Sequence, residues 1–252
     1  MRDFDQEGLL QETRTMAWGQ MSAAVELNSF KERMFKAILQ RLKIIIPPPA
    51  TLLDVGCSFG GFLLKARTAG YVVAGTDLVP EAVAYVHSQG IEAQVVASVQ
   101  SYNAIPPRKF DIITCLDCSY YWENQLEEYT RIFERLRPGG VLVVRAADKS
   151  WMVSLAKFVR PLSKKISQKI LREVVSDHLC STPAKSTLRV LRDIGFEIIE
   201  ASPRGALHSD NTRPIVKTMF GVGIFLYAMT GAFVAPGILI IARKPGRIIN
   251  DS

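Results

Sequence analysis

The fold of this chain is decided by the stretch Leu52-Leu53-Asp54-Val55-Gly56-Cys57-Ser58-Phe59-Gly60-Gly61. An apolar run of strand type enters a glycine turn, and the residues after the turn are typical of a helix. A second apolar run follows and ends in the lone acid of Ala74-Gly75-Thr76-Asp77-Leu78. Strand, glycine turn, helix and a second strand ending in an acid together predict a nucleoside-binding α/β unit.

The charge beside the turn narrows the class of ligand. A dinucleotide site brings backbone amides and a helix N-terminus to a pyrophosphate, and a neighbouring carboxylate repels that group. Asp54 stands two residues before the turn, which reads Gly56-x-Ser58-x-Gly60 with serine in place of the usual middle glycine. These residues favour a cationic ligand such as S-adenosylmethionine, with its sulfonium and ammonium groups, over NAD.

Two later segments continue the same pattern. Residues 110–116 predict a buried fourth strand followed by Asp117, and residues 136–144 predict a Pro-Gly-Gly turn into a fifth strand. With these motifs in order, residues 51–244 resemble class I S-adenosylmethionine-dependent methyltransferases, especially their small-molecule branch. The resemblance implies a Rossmann-like methyltransferase fold of the α/β class. Its doubly wound, seven-stranded sheet is mostly parallel, with an antiparallel last strand and helical inserts forming a lid.

The alternation of apolar runs and helical patterns predicts where the elements lie. Strands are expected near residues 51–55, 72–76, 93–97, 110–116, 140–146, 196–200 and 237–243. Residues 29–46 show a helical period that stops at Pro47-Pro48-Pro49. We therefore divide the chain into an N-terminal helical extension, 1–50, and a methyltransferase domain, 51–252. The extension either folds over the cofactor or only packs on the core.

The resemblance assigns the cofactor site residue by residue. In similar methyltransferases the glycine motif holds the methionine part of the cofactor, and the acid ending the second strand, here Asp77, binds both ribose hydroxyls. Ser98 falls where the family has a polar residue for the adenine amine, and the Val99 amide would meet the ring. Cys57 is expected to contribute backbone geometry. The expected cofactor-binding set is Asp54, Gly56, Cys57, Gly60, Asp77, Leu78, Ser98, Val99 and Cys115.

The expected chemistry is an in-line displacement, so the protein must mainly hold the acceptor close and collinear with the methyl group. A base is needed only if the acceptor loses a proton, as a hydroxyl does. The candidate catalytic residues are His178, which precedes a Thr-Pro helix start, and Asp117. His178 either acts on the acceptor or only holds the lid. Asp117, Tyr120 and Tyr121 either line the acceptor pocket or cap the strand.

The first of two inserts, residues 147–182, combines apolar residues at helical spacing with basic residues between them. This pattern predicts a basic amphipathic helix, or two helices joined at Pro161. Residues 147–172 hold seven Lys or Arg and one Asp, a net charge of +6 against +7 for the whole chain. Such a segment favours an anionic membrane surface or an anionic, lipophilic acceptor. The alternative is a solvated helix with an ordinary buried apolar stripe.

The second insert, residues 203–235, adjoins a long apolar stretch. Residues 218–242 carry no charge and are numerous enough to span a bilayer. Pro236-Gly237 interrupts them, however, and the residues beyond resemble the last strand of the family. We therefore expect a buried lid helix or shallow membrane contact here rather than a span. Both inserts are expected over the carboxyl edge of the sheet, which favours a hydrophobic or amphiphilic acceptor.

Composition limits the remaining function classes. A chain of 252 residues with four cysteines supports one α/β core in a reducing, cytoplasmic compartment. The Cys-x-x-Cys of Cys115 and Cys118 has no second pair, so no metal site is expected. The localised positive charge argues against a nucleic-acid partner.

The expected function is transfer of a methyl group from S-adenosylmethionine to a small, lipophilic acceptor, with oxygen favoured. Three alternatives stay open: a methyltransferase acting on nucleic acid or protein, a non-catalytic protein that binds S-adenosylmethionine, and an aminopropyl transferase. The oligomeric state is unknown from the sequence.

Overall fold

Strands and helices alternate along the residues described by the computed structural model, which are 29–96, 109–148, 150–175, 183–203, 221–225, 227, 229–230 and 237–246. The strands are β1 (Thr51–Val55), β2 (Val72–Asp77), β3 (Glu92–Val95), β4 (Phe110–Leu116), β5 (Leu136–Ala147), β6 (Glu197–Ser202) and β7 (Gly237–Arg243). The helices are α1 (Ser29–Ile45), α2 (Gly61–Thr68), α3 (Pro80–Ser88), α4 (Gln125–Arg135), α5 (Ser150–Val159), α6 (Lys164–Val175) and α7 (Ala184–Ile194). A short 3-10 turn, Ser119–Tyr121, follows β4.

All seven strands belong to one sheet, in the order β3-β2-β1-β4-β5-β7-β6. Neighbouring strands are parallel except β7, which is antiparallel to both β5 and β6. The predicted α/β fold, with its mostly parallel sheet and antiparallel last strand, is therefore confirmed. Strand β5 begins at Leu136, earlier than predicted. Backbone bonds from Gly139 to Lys244 (2.9 Å) and from Lys244 to Gly140 (2.8 Å) extend its pairing.

Apolar packing covers both faces of the sheet. Helices α1, α2 and α3 pack on one face, and α4 and α7 pack on the other. Alternate residues of each strand point to opposite faces, so Leu52 joins the first layer and Leu53 joins the second. Helix α1 lies where the sequence predicts a helix, and it ends just before the prolines.

The sheet order reverses between β1 and β4, because β2 and β3 lie on one side of β1 and β5 lies beyond β4. The loops that follow β1 and β4 diverge at such a point and leave a crevice at the carboxyl edge of the sheet. The residues that lead into this crevice are Val55, Asp77 and Leu116, the last residues of β1, β2 and β4.

The first insert is a helical hairpin formed by α5 and α6, with its turn at residues 160–163, as the break at Pro161 predicts. Small residues make the contact between the two helices. Ala156 and Ser167 are buried, and the Ser167 hydroxyl donates to the Ala156 carbonyl at 2.9 Å. Phe158 and Leu162 are exposed. The alternative of an ordinary buried apolar stripe is therefore wrong for these two residues.

Asp148 closes the base of the hairpin. Its carboxylate is buried and accepts hydrogen bonds from the amides of Ser150 and Ala184, both at 2.8 Å. These amides belong to the first residues of α5 and α7. One side chain therefore caps two helices and holds the two ends of the insert together.

We expect Asp148→Ala to lower the free energy of unfolding by about 2–3 kcal/mol, because one cap contributes about 1 kcal/mol and a buried amide left unpaired adds to the loss. Asn124→Ala is the matched single-cap variant, since the Asn124 side chain caps one helix, accepting from the Glu127 amide at 3.2 Å at the start of α4. Its expected loss is about 1 kcal/mol. Urea unfolding measures both, and equal losses would contradict the double cap.

The second insert is described only in part. Residues 221–225, 227 and 229–230 are helical. Among the described residues, no helix is both long and apolar enough to cross a bilayer. The expectation of a buried lid helix is wrong for one face of this stretch, because three large apolar side chains on that face are exposed. They are Val222, Phe225 and Met229.

Candidate functional site

Three residues of the turn after β1 have a left-handed backbone conformation, with positive φ. Gly56 has φ 72°, Ser58 has φ 53° and Gly60 has φ 74°. The amides of Gly56 and Cys57 donate to the carbonyl of Thr76 at 2.8 and 2.9 Å. The glycine turn is therefore attached to the end of β2, one residue before Asp77.

Gly56 permits a close approach from the loop after β4. A Cβ atom at Gly56 would lie 2.6 Å from the Cβ of Cys118. Cys118 is held in this position because its thiol donates to the carbonyl of Val55 at 3.0 Å. Glycine at position 56 therefore meets two requirements, a positive φ and the absence of a side chain.

We expect Gly56→Ala to destabilise the protein by at least about 2 kcal/mol, because the variant adds a steric clash to the strain of a positive φ. Gly139→Ala is the matched control. Gly139 has φ 80°, and a Cβ there would meet no atom within 4 Å. Its expected loss is about 1 kcal/mol, from backbone strain alone. The check is urea unfolding of both variants, and similar losses would show that the contact with Cys118 is unimportant.

Asp77 is buried at the end of β2. Its Oδ2 accepts from the Ser58 amide at 2.7 Å, and its Oδ1 accepts from the Val79 amide at 2.9 Å. Burial raises the pKa of Asp77, and backbone hydrogen bonds from Val79, Ser58 and Leu78 offset only part of this increase. Each carboxylate oxygen has further acceptor capacity. The carboxylate can therefore accept two more donors, which suits a ribose diol.

The hydroxyl of Ser58 also fits a polar ligand at the turn. Its oxygen is buried and has no hydrogen-bond partner within the described residues. A buried hydroxyl without a partner is costly and calls for an explanation. The amide of the same residue binds Asp77, so this polar atom belongs to the predicted cofactor turn.

Asp54 lies beneath the turn. It is a buried residue of β1 that pairs in the sheet with Gly75 on one side and Thr114 on the other. The Thr114 hydroxyl donates to its carboxyl oxygen at 2.5 Å. Thr114 is not among the residues predicted from the sequence, although a polar residue within the apolar run of β4 is a visible signal.

Asp117 is fixed by an ion pair at the carboxyl edge of the sheet. Its carboxylate contacts the guanidinium of Arg145, near the end of β5. Its amide also donates to the Arg145 carbonyl at 2.9 Å. Arg145 is not among the residues predicted from the sequence, although a lone charge after the apolar run 141–144 is the same signal that identified Asp77. The pair holds the Asp117 side chain in place and balances its charge.

Tyr120 lies close to Asp117. Burial raises the pKa of Tyr120, and the negative charge of Asp117 raises it further. The side chain is therefore a neutral phenol, which can donate a hydrogen bond. The rings of Tyr120 and Tyr121 are in edge contact, with centroids 4.7 Å apart. The aromatic residues predicted to face the acceptor thus lie together beside Asp117.

The three cysteines that the structure describes, Cys57, Cys115 and Cys118, are buried or half-buried. Cys57 lies in the layer of α1, α2 and α3, and Cys115 lies in the layer of α4 and α7. A hydrogen bond with Cys115, together with burial, raises the pKa of Cys118. A thiol with a raised pKa is a poor nucleophile, so Cys118 contributes packing. Cys57 and Cys115 are buried.

Two of the remaining predicted site residues are described by the structure, and three are not. Gly60 and Leu78 lie in the loops that begin the crevice, and Leu78 donates its amide to Asp77. Ser98, Val99 and His178 lie outside the described residues, so their roles stay predictions.

Comparison with known protein families agrees with this geometry. Residues 27–201, more than half of the chain, match a family described as methyltransferase domain. The chain belongs to this methyltransferase family. The family depends on S-adenosylmethionine, so the predicted family, enzyme class and cofactor are confirmed at the level of the family.

The methyltransferase has similar relatives among characterised proteins. A ubiquinone biosynthesis O-methyltransferase of Xanthomonas campestris is 32% identical over 109 residues, which are 41% of this chain and 45% of that protein. The chain thus spans less than half of that relative. A norajmaline N-methyltransferase of Rauvolfia serpentina is 25% identical over 95% of this chain and 82% of its own length. An N-methyltransferase of Bradyrhizobium japonicum, solved with S-adenosyl-L-homocysteine, shares the fold with TM-score 0.60 and 15% identity, over 96% of this chain and 100% of that one.

Proposed function

We propose that this protein transfers a methyl group from S-adenosylmethionine to a small, lipophilic acceptor, with oxygen as the favoured methylated atom. The observation that carries the proposal is the hydrogen bond from the Ser58 amide to the Asp77 carboxylate, 2.7 Å long. It joins the glycine turn to the acid that ends β2. A glycine turn beside a carboxylate with free acceptor capacity suits a nucleoside with a charged tail.

The proposed cofactor contacts follow from this arrangement. Asp77 accepts both ribose hydroxyls, and the turn from Gly56 to Gly60 receives the methionine part. When bound, the cofactor supplies an electrophilic methyl group on a sulfonium. Leu78, Ser98 and Val99 are the proposed adenine contacts. For Asp54, Cys57 and Cys115 we propose support of the cofactor turn from below, because all three are buried.

The proposed acceptor-facing residues are Asp117 and His178. Arg145 fixes the Asp117 carboxylate, so Asp117 is suited to orienting an acceptor. The neutral phenol of Tyr120 can donate a hydrogen bond to an acceptor oxygen. A hydroxyl acceptor must lose its proton during the transfer, and His178 is the proposed base for that step.

Two kinds of observation support the acceptor class. Exposed apolar side chains on both inserts, among them Phe158, Leu162 and Phe225, favour a lipophilic molecule. The name of the Xanthomonas relative specifies an O-methyltransferase, which supports oxygen. The Rauvolfia relative is an N-methyltransferase by name, so a test must distinguish the two atoms.

We further propose a cytoplasmic protein that contacts a membrane surface peripherally. The three described cysteines, Cys57, Cys115 and Cys118, are free thiols, which supports a reducing compartment. A lipophilic acceptor partitions into membranes, and the basic helical insert supports contact with an anionic one.

We expect Asp77→Asn to weaken binding of S-adenosylhomocysteine at least about tenfold, because a charged acceptor of two hydroxyls contributes about 1.5–3 kcal/mol. Isothermal titration calorimetry measures the affinity. Asp111→Asn is the matched control at the opposite edge of the sheet. Its carboxylate accepts from the Thr51 amide at 2.8 Å and from Arg137 at 2.8 Å. The control should bind with unchanged affinity.

The same titration has a pH dependence with a definite sign. Burial raises the pKa of Asp77, so acidification protonates this carboxyl at a pH above the ordinary aspartate value of about 3.9. As the pH is lowered, the affinity of the wild type for S-adenosylhomocysteine should therefore begin to fall while the pH is still above that value. The affinity of Asp77→Asn should show no such decrease. Equal affinities of all variants would disprove the ribose contact, and a wild type that does not bind would disprove the proposed cofactor.

We expect label from methyl-labelled S-adenosylmethionine to enter a lipid extract rather than polar metabolites, RNA or protein, because the proposed acceptor is lipophilic. Mass spectrometry of the labelled product then distinguishes methylation of oxygen from that of nitrogen. Label in RNA or protein would assign the alternative methyltransferase classes instead. Intact binding of S-adenosylhomocysteine without transfer to any pool would identify a non-catalytic binding protein.

A further inference from the structure

We infer that the helical hairpin of α5 and α6 is a docking surface for an anionic lipid bilayer. The inference rests on the proposed function only for its consequence, which is that the bilayer delivers a lipophilic acceptor to the carboxyl edge of the sheet. The docking surface itself follows from the exposure and charge of the hairpin residues.

Large apolar side chains surround the hairpin turn in solvent. Phe158 is 76% exposed, Leu162 is 82% exposed and Ile166 is 54% exposed. Leu155 and Leu171, farther along the helices, are exposed as well. Single exposed apolar residues are ordinary, but a cluster of this size marks an interaction surface.

The packing of the hairpin explains why these side chains stay outside. The two helices contact each other through Ala156 and Ser167, joined by the 2.9 Å hydrogen bond to the Ala156 carbonyl. Small residues allow a close approach of the helices, which leaves no space between them for a phenylalanine or a leucine. Among the described elements, the main packing partner of each helix is the other.

The positive charge of the hairpin favours an anionic partner. The hairpin, residues 150–175, contains six basic residues and one acid, Glu173. All six basic residues are exposed: Lys157, Arg160, Lys164, Lys165, Lys169 and Arg172. Exposed apolar residues interleaved with cations are the combination that binds an anionic bilayer, where the apolar side chains enter the interface and the cations meet the headgroups.

Other occupants fit this surface less well. A second copy of the chain would bring the same six cations to the interface, and like charges repel. Nucleic acid would attract the cations but would leave Phe158 and Leu162 without an apolar partner. An anionic bilayer satisfies both the charged and the apolar residues.

Flotation of the full chain with vesicles tests the inference. One set of vesicles contains phosphatidylcholine and phosphatidylglycerol in equal amounts, and the other contains phosphatidylcholine alone. We expect binding to the anionic vesicles that weakens at high salt, because the Debye length shortens, and little binding to the neutral ones.

Two double variants locate the surface. Phe158→Ser with Leu162→Ser should weaken partitioning at least about tenfold, since each side chain loses the free energy of burial. Lys164→Gln with Lys165→Gln should weaken it about 25-fold, since each cation near an anionic membrane contributes about a factor of five.

Matched controls lie on α1. Ile44→Ser removes an apolar side chain that is 85% exposed. Lys36→Gln with Lys43→Gln removes two exposed cations and the same net charge as the hairpin variant. Both controls should bind the anionic vesicles as the wild type does.

Three further results would contradict or reassign the docking surface. Equal losses in the α1 controls, or equal binding to neutral vesicles, would overturn the inference. A dimer in sedimentation velocity that disappears in the Phe158→Ser, Leu162→Ser variant, without vesicle binding, would assign the surface to self-association. Calorimetry with S-adenosylhomocysteine on the same samples separates the proposals, because a wild type that binds it but not vesicles refutes only the docking surface.

Discussion

The carboxylate of Asp77 accepts hydrogen bonds from the amides of Ser58 and Val79, and these contacts determine where the turn after β1 lies. The turn contains three left-handed residues, including a serine, and needs fixed partners to keep this conformation. Burial makes ionisation of Asp77 costly, and the backbone amides offset that cost only in part. A ligand that donates hydroxyl hydrogens stabilises the ionised form further. The same carboxylate thus organises the turn and, in the proposed function, accepts the ribose hydroxyls of the cofactor.

Close backbone approaches bring the ends of β1, β2 and β4 together around this contact. A Cβ at Gly75 would lie 2.7 Å from both the Cys57 sulfur and a methyl group of Leu63. On the side of β4, a Cβ at Gly56 would likewise lie too close to Cys118, 2.6 Å from its Cβ. The turn is therefore enclosed by β2 on one side and by the loop after β4 on the other. Interiors at this packing density yield little to an added methyl group, so both glycines are structural requirements of the site.

The sequence predicts where the strands lie and which acids end or follow them, because both depend on local apolar runs and their boundaries. The arrangement of the strands in the sheet is implied only by the resemblance to methyltransferases. It does not predict partners that are distant along the chain. Thr114 binds a residue 60 positions away, Asp117 and Arg145 are separated by 28, and Asp148 caps a helix 36 residues later. Periodicity likewise identifies the apolar face of the hairpin but not whether another element covers it. Whether these apolar side chains are buried or exposed depends on the small residues at the contact between the two helices.

Strand β5 connects the acceptor side of the site to the hairpin. Arg145 fixes Asp117, and three residues later Asp148 fixes the first amides of α5 and α7. One buried carboxylate beside the end of β5 thus fixes the start of the hairpin, at α5, and the start of the helix that follows it, α7. Contact of the hairpin tip with a bilayer would therefore orient the carboxyl edge of the whole sheet toward the membrane. In the proposed function, the first insert therefore sets how the site approaches a lipophilic acceptor, while Asp77 at the end of β2 and Asp117 after β4 contact the cofactor and the acceptor.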